Sequence, residues 1–225
     1  MSEVTPLRIF AAVEQCEQRA IALGSDLLSR AVASARQGQA QPIKLAIGLP
    51  CHEHKGEEPP HVIVASMLNE VLGPREDETI IHERWHRYFE KLLEGPSEVF
   101  ICTIFRHVPG RVRASGNDET LERIRRLNLL AVELSHSLGL RVVDYNRVLA
   151  HFGARPLATD YRLGGNLATY VAGHTLASAI LANGIDELVD PQVQEGARAA
   201  LGGLDDIPEQ IRRFAKAVRD AAAAG

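Results

Sequence analysis

Four short stretches of this 225-residue chain hold side chains that could do chemistry. The first is Cys51-His52-Glu53-His54, placed directly after the apolar run 43–49. A thiol beside an imidazole becomes a nucleophile when the imidazole lowers its pKa. The same two histidines share a side in extended backbone, and with Glu57 and Glu58 they offer metal-ligand types. The second stretch is Arg106-His107, following the run Val99-Phe-Ile-Cys-Thr-Ile-Phe105. His107 there could act as base or donor, and Arg106 and Arg111 could fork onto a carboxylate or phosphate. The third is Asp160-Tyr161-Arg162 ahead of Gly164-Gly165, with His174 downstream. Paired glycines let backbone come close to a ligand. The plain alternatives are an inert thiol at 51, a loop ion pair at 106, a salt bridge at 160 and a packed imidazole at 174.

The fourth stretch, His82-Glu83-Arg84-Trp85-His86, matches H-E-x-x-H. On a helix its two histidines share a face, and the glutamate could activate a zinc-bound water. A third ligand would have to be Glu90, Glu94 or Glu98. Arg84 puts a charge in the middle of the motif, and Ile80, Ile81, Trp85, Phe89 and Leu92 give the same helix an apolar face, so a surface helix edge with two solvated histidines is the favoured reading. Gly24-Ser25-Asp26-Leu27-Leu28 scrambles a Gly-Asp-Ser-Leu nucleophile turn, but it follows no strand and sits inside a helical pattern, so it is set aside.

These side chains need elements to hold them. The spacing of Ile9, Phe10, Val13, Ala20, Leu23, Leu27, Leu28 and Val32 predicts one or two helices over 6–36, interrupted at Gly24. Residues 43–49 read as the first strand, 62–72 as a helix with a strand left open by its β-branched start, and 78–93 as a helix. Residues 99–105 read as a buried strand, 118–138 as a helix ended by Gly139, and 140–145 as a second buried strand. Helices follow at 167–183, 190–201 and 207–223. Apolar strands that stop at polar residues, alternating with helices, predict an α/β class: a three-layer α/β/α domain with a mainly parallel sheet and a site at its carboxyl edge. One domain is expected, its core at about 43–185, with helical additions at 6–37 and 187–223.

Composition sets outer bounds. The apolar fraction of 45% can build a core, and a net charge of −4 gives no electrostatic case for nucleic acid. Three cysteines make no disulfide framework, and no signal-like or membrane-spanning run is present in the sequence, so a reducing cytoplasm is the expected compartment. The apolar terminal helices offer surfaces for pairing into a homo-oligomer.

In the order of its elements, and in a few residues, the stretch 43–185 resembles the SGNH/GDSL hydrolase superfamily. Ser115-Gly-Asn-Asp118 is similar to the family's Gly-x-Asn-Asp block, which implies Asn117 as an oxyanion donor. The segment 158–166 leading to Val171-Ala-Gly-His174 is similar to the family's late Asp-His block, which implies that Asp160 orients a histidine. Two family positions differ. The run 43–49 leads to Pro50-Cys51 where a Gly-Asp-Ser turn belongs, and Leu163 stands three residues after Asp160 where the histidine belongs. The resemblance implies a hydrolase or acyl- and ester-handling enzyme acting on a small molecule or glycan. Catalysis would fall to Cys51, His107 and Asp160, with His52, His54, Arg106, Arg111, Asn117, Arg162 and His174 contacting substrate and no cofactor required. A pseudo-hydrolase that binds without turnover is the second reading, and a zinc hydrolase built on His82 and His86 the third.

Overall fold

A computed structural model describes residues 5–39, 41–52, 56, 58–109, 115–207 and 209, with the backbone alone at 115 and 116. Five strands, β1 (Leu7–Ala12), β2 (Ile43–Gly48), β3 (Val62–Ser66), β4 (Glu98–Cys102) and β5 (Arg141–Val143), form one parallel sheet in the order β2-β1-β3-β4-β5. Parallel strands need covering on both faces, and their side chains sort accordingly. Leu7, Ile9, Ala11, Val62, Val64, Phe100 and Cys102 point into one core, while Phe10, Ala12, Ile63, Ala65, Val99 and Ile101 point into the other.

The first core is closed by α1 (Gln18–Ala35), α5 (Tyr145–Phe152), α6 (Ala154–Leu157), α7 (Asn166–Asn183) and α8 (Pro191–Leu201). The second is closed by α2 (Asn69–Leu72), α3 (Glu78–Leu93) and α4 (Ser115–Leu138). The chain moves one way across the sheet from β1 to β2 and the other way from β3 to β5. Crossovers of one hand then place α1 on one face and α3 and α4 on the other. This is the expected three-layer α/β/α class.

Several expectations are corrected. Residues 6–36 do not begin as helix: Leu7–Ala12 is a central strand, paired on one side with β2 and on the other with β3. A strand buried on both faces is apolar at nearly every position, so it matches helical spacing by chance. Residues 43–49, expected to open the sheet, form its second strand and one of its edges. Residues 62–72 divide into β3 and the short α2, because Val62, Ile63 and Val64 favour the pleated surface. Gly24 does not interrupt α1. It is the point where α1 meets α7: a Cβ on Gly24 would stand 2.8 Å from the carbonyl oxygen of Gly173, and one on Gly173 would stand 2.9 Å from the nitrogen of Gly24. Helices 78–93, 118–138, 167–183 and 190–201 fall where expected, within a few residues. Helix α5 was not expected; Asp144, read as a strand end, caps it by accepting a hydrogen bond from the Arg147 amide. The helix expected at 207–223 lies, beyond its first residues, outside the described residues. Among the described residues no helix is long and apolar enough to cross a membrane.

Candidate functional site

The strand order reverses between β1 and β3, and in open α/β sheets ligands bind over the carboxyl ends of the strands at such a point. The register sets what meets there. Ala12 pairs with Ala65, Ser66 with Cys102 and Cys102 with Val143, so β1, β3, β4 and β5 end in one row. The turn leaving β1 is Glu14-Gln15-Cys16-Glu17. Glu17 holds it closed by accepting the Glu14 amide at 3.0 Å. The Glu17 carboxyl is buried among Ser66, Cys102 and Tyr145 from the neighbouring strand ends. Burial pushes it up to about 7, although the Ser66 hydroxyl and the Glu14 amide pull the other way. The Cys16 thiol, half-buried above it, is raised to about 11 by burial and then by the charge of Glu17. A helical reading of β1 hides both residues; the signal that could find them is the apolar run 9–13 ending at Glu14.

The loop leaving β4 is braced along its length. Thr103 donates its amide to the Val143 carbonyl and its hydroxyl to Asp144. Asn128, reaching from α4, accepts the Ile104 amide at 2.7 Å and donates to the Ile104 carbonyl at 2.8 Å. Asn146 accepts the Arg106 amide. These contacts deliver His107, stacked on Phe105, to the segment 158–163, where its carbonyl accepts the Tyr161 amide at 2.9 Å.

That segment carries the third group. Asp160 accepts hydrogen bonds from the backbone amide and the guanidinium of Arg162. Burial works to raise the Asp160 pKa, but the hydrogen bonds and charge of Arg162, helped by His107, hold it below the usual carboxylate range. Arg162 lies over the Tyr161 ring, 5.3 Å from its centre, and its charge also reaches Cys16. Gly165, with φ +91°, turns the chain into α7. Cys16, His107, Asp160, Tyr161 and Arg162 therefore occupy one neighbourhood at the carboxyl edge.

Other expected site residues lie elsewhere. Cys51 follows edge strand β2 and has Arg84 and Glu70 as its charged neighbours; burial foremost, with Glu70, raises its thiol to about 11. His52 leans toward α3, its carbonyl accepting the Tyr88 hydroxyl and its ring nitrogen 3.0 Å from the Pro50 carbonyl. Cys51 and His52 thus sit with α2 and α3. The Arg106 side chain is exposed, and Asn117 stands in the first turn of α4. His174, expected to contact substrate, is instead a core residue. It lies deep in α7 and 1% exposed, with Nε2 3.2 Å from the Leu201 carbonyl and Ser178 Oγ 3.4 Å from Nδ1. Burial lowers its pKa. This Ser–His pair is sealed under α8 and faces no strand end. His54 and Arg111 fall outside the described residues, as do Glu53 and Glu57.

The H-E-x-x-H motif is on α3 as expected, with the two rings stacked at 5.8 Å. His82 faces Glu133 at 3.6 Å and His86 faces Glu90 at 3.3 Å. Arg84 between them turns to Glu70 and Glu76, and Trp85 donates to Glu70. Among the described residues no three His, Cys, Asp or Glu side chains converge in a manner suited to a metal ion.

No family model and no curated protein matches the sequence. Among solved structures, the fold is similar to that of the crystal structure titled as an acetyl xylan esterase, AlAXEase. The TM-score is 0.56 at 13% identity, over 77% of this chain and 99% of that one. A likeness at that identity establishes a shared fold and nothing of the activity.

Proposed function

We propose that this chain is a relative of the SGNH hydrolases that binds an ester-bearing small molecule or glycan at its carboxyl edge without fast turnover. The observation that carries this reading is the state of the nucleophile position. In that family the nucleophile follows the first strand, and here the first strand is β1, so the position falls on Glu14-Gln15-Cys16. Its thiol is held protonated at neutral pH by burial and Glu17. The family's histidine position is Leu163, an apolar side chain 4% exposed, and Asp160 is engaged by Arg162 in place of an imidazole. A triad without its base cannot activate a hydroxyl or thiol. The polar donors that remain, Arg162 and His107, suit ester or carboxylate oxygens, and Tyr161 offers a ring for a sugar face.

The test uses p-nitrophenyl acetate for turnover and an acetylated xylo-oligosaccharide, matched to the acetyl xylan esterase of similar fold, for binding. The expected result is release of p-nitrophenolate at the buffer rate, together with thermal stabilisation by the oligosaccharide that Arg162→Ala abolishes. Turnover at an enzyme-like rate that disappears in Cys16→Ala would restore the hydrolase reading.

A further inference from the structure

Asn128 stands in the interior of α4, where asparagine is a poor helix former. Its side chain does there what the sheet no longer does. The ladder of β4 ends at Cys102, which pairs with Ser66 on one side and Val143 on the other. Two residues later Asn128 stands in for a strand: Oδ1 accepts the Ile104 amide at 2.7 Å and Nδ2 donates to the Ile104 carbonyl at 2.8 Å. A carboxamide carries an acceptor and donors in one plane, so it can meet both polar groups of a single residue. Aspartate of the same size could accept but not donate, and leucine could do neither. The other braces on this loop also serve α5. Asp144, which accepts the Thr103 hydroxyl, caps that helix through the Arg147 amide, and Asn146 lies in its first turn. Asn128 lies far from either end of α4, and its two bonds act on the loop alone.

From Ile104 the path to the site is short. Ile104 and Phe105 are buried in the cores on opposite faces of the sheet, which fixes the course of the chain. His107 stacks on Phe105, and its carbonyl accepts the amide of Tyr161, the residue between Asp160 and Arg162. Burial pushes the Asp160 carboxyl up; the bonds and charge of Arg162 hold it down, and the charge of His107 adds to that hold. We propose that Asn128 is a positioning residue of the site: by fixing the Ile104 peptide groups it sets where His107 stands against Asp160 and Tyr161. The consequence for ligand binding rests on the function proposed above; the consequence for Asp160 does not.

The test compares His107→Ala, Asn128→Leu and the two combined, all in the full chain. The control is Leu134→Ala, which empties a buried core position further along α4 and so lowers stability by another route. The first readout is the titration midpoint of Asp160 by carbon-detected NMR. His107→Ala is expected to raise it, because one of the charges that hold it down is gone. Asn128→Leu is expected to raise it as well, the double variant no further than His107→Ala alone, and Leu134→Ala not to move it. A midpoint that either single variant at the loop leaves unmoved overturns the proposal. So do fully additive shifts in the double variant, or an equal shift in Leu134→Ala. Should Asn128→Leu not fold, Asn128→Ser, whose hydroxyl can still serve one of the two groups, takes its place in the same comparison. The second readout is the rise in Tm that the acetylated xylo-oligosaccharide gives each chain over its own unliganded value. The wild type and Leu134→Ala are expected to keep that rise and Asn128→Leu to lose most of it; a full rise in Asn128→Leu overturns its role in binding. No rise in any chain, beside the expected titrations, overturns the binding function and leaves the positioning of His107 standing.

Discussion

Asp160 engages both of its carboxylate oxygens with Arg162, two residues along the chain: Oδ1 accepts the Arg162 amide and Nε, and Oδ2 accepts Nε and Nη2. The carboxylate is closed on a cation, with Leu163 buried three residues on. Arg162→Ala should release the carboxylate. Its pKa, followed by carbon-detected NMR titration, should rise, since burial then acts against weaker opposition, from the backbone amide at position 162 and from His107. An unchanged Asp160 titration would mean that Arg162 does not hold it.

Glu17 gives the chain a pH-dependent stability of defined sign. Its folded pKa is about 7 against an ordinary value of 4.5, so the folded state binds the proton more tightly than the unfolded state. The stabilisation is complete below about 4.5 and is lost as pH rises through 7. A shift of that size corresponds to roughly 3 kcal/mol between pH 4.5 and 8, at about 1.4 kcal/mol per unit. Glu17→Gln should flatten the fall in Tm over that window. A variant with the same fall as the wild type would remove Glu17 as its source.

Gly24 and Gly173 permit backbone contact between α1 and α7, and Gly24→Ala is expected to lower Tm. Alanine gains about 1 kcal/mol of helix propensity over glycine. Its Cβ, however, would press on the Gly173 carbonyl at 2.8 Å, and such overpacking costs about 1–3 kcal/mol. Stabilisation by Gly24→Ala would show that the helices do not touch there.

Glu70 is the buried hub of α2 and α3, accepting from Asn69, Arg84 and Trp85. Glu70→Ala leaves the Trp85 N–H and the Arg84 guanidinium without that acceptor and should cost about 2–4 kcal/mol in urea unfolding. A loss below about 1 kcal/mol would contradict the hub.

Much of the layer structure was legible in the sequence. Trp85 and Phe89 mark one face of α3, and the run ending at Cys102 stops abruptly at polar residues, so both elements announce themselves. The placement of His107 and Asp160 at strand and loop ends followed from the same logic. What stayed hidden traces to β1. Ile9, Phe10 and Val13 fit a helical period as well as a doubly buried strand, and only the pairing partners at Ile43 and Val62 decide between the two. A helical reading of residues 7–12 makes β2 the first strand and Cys51 the candidate thiol, and leaves Cys16 and Glu17 outside the candidate site. That no histidine stands three residues after Asp160 is, by contrast, visible in the sequence itself.

The protonation state of Cys16 tests the central claim most directly. Its alkylation by iodoacetamide, followed residue by residue with mass spectrometry, gives the thiolate fraction against pH. The account predicts a rate that is slow at pH 7 and still climbing at pH 10, in keeping with a thiol near 11. A rate that reaches its plateau below pH 8 would mean an activated thiolate at the end of β1, and a hydrolase rather than a binding protein.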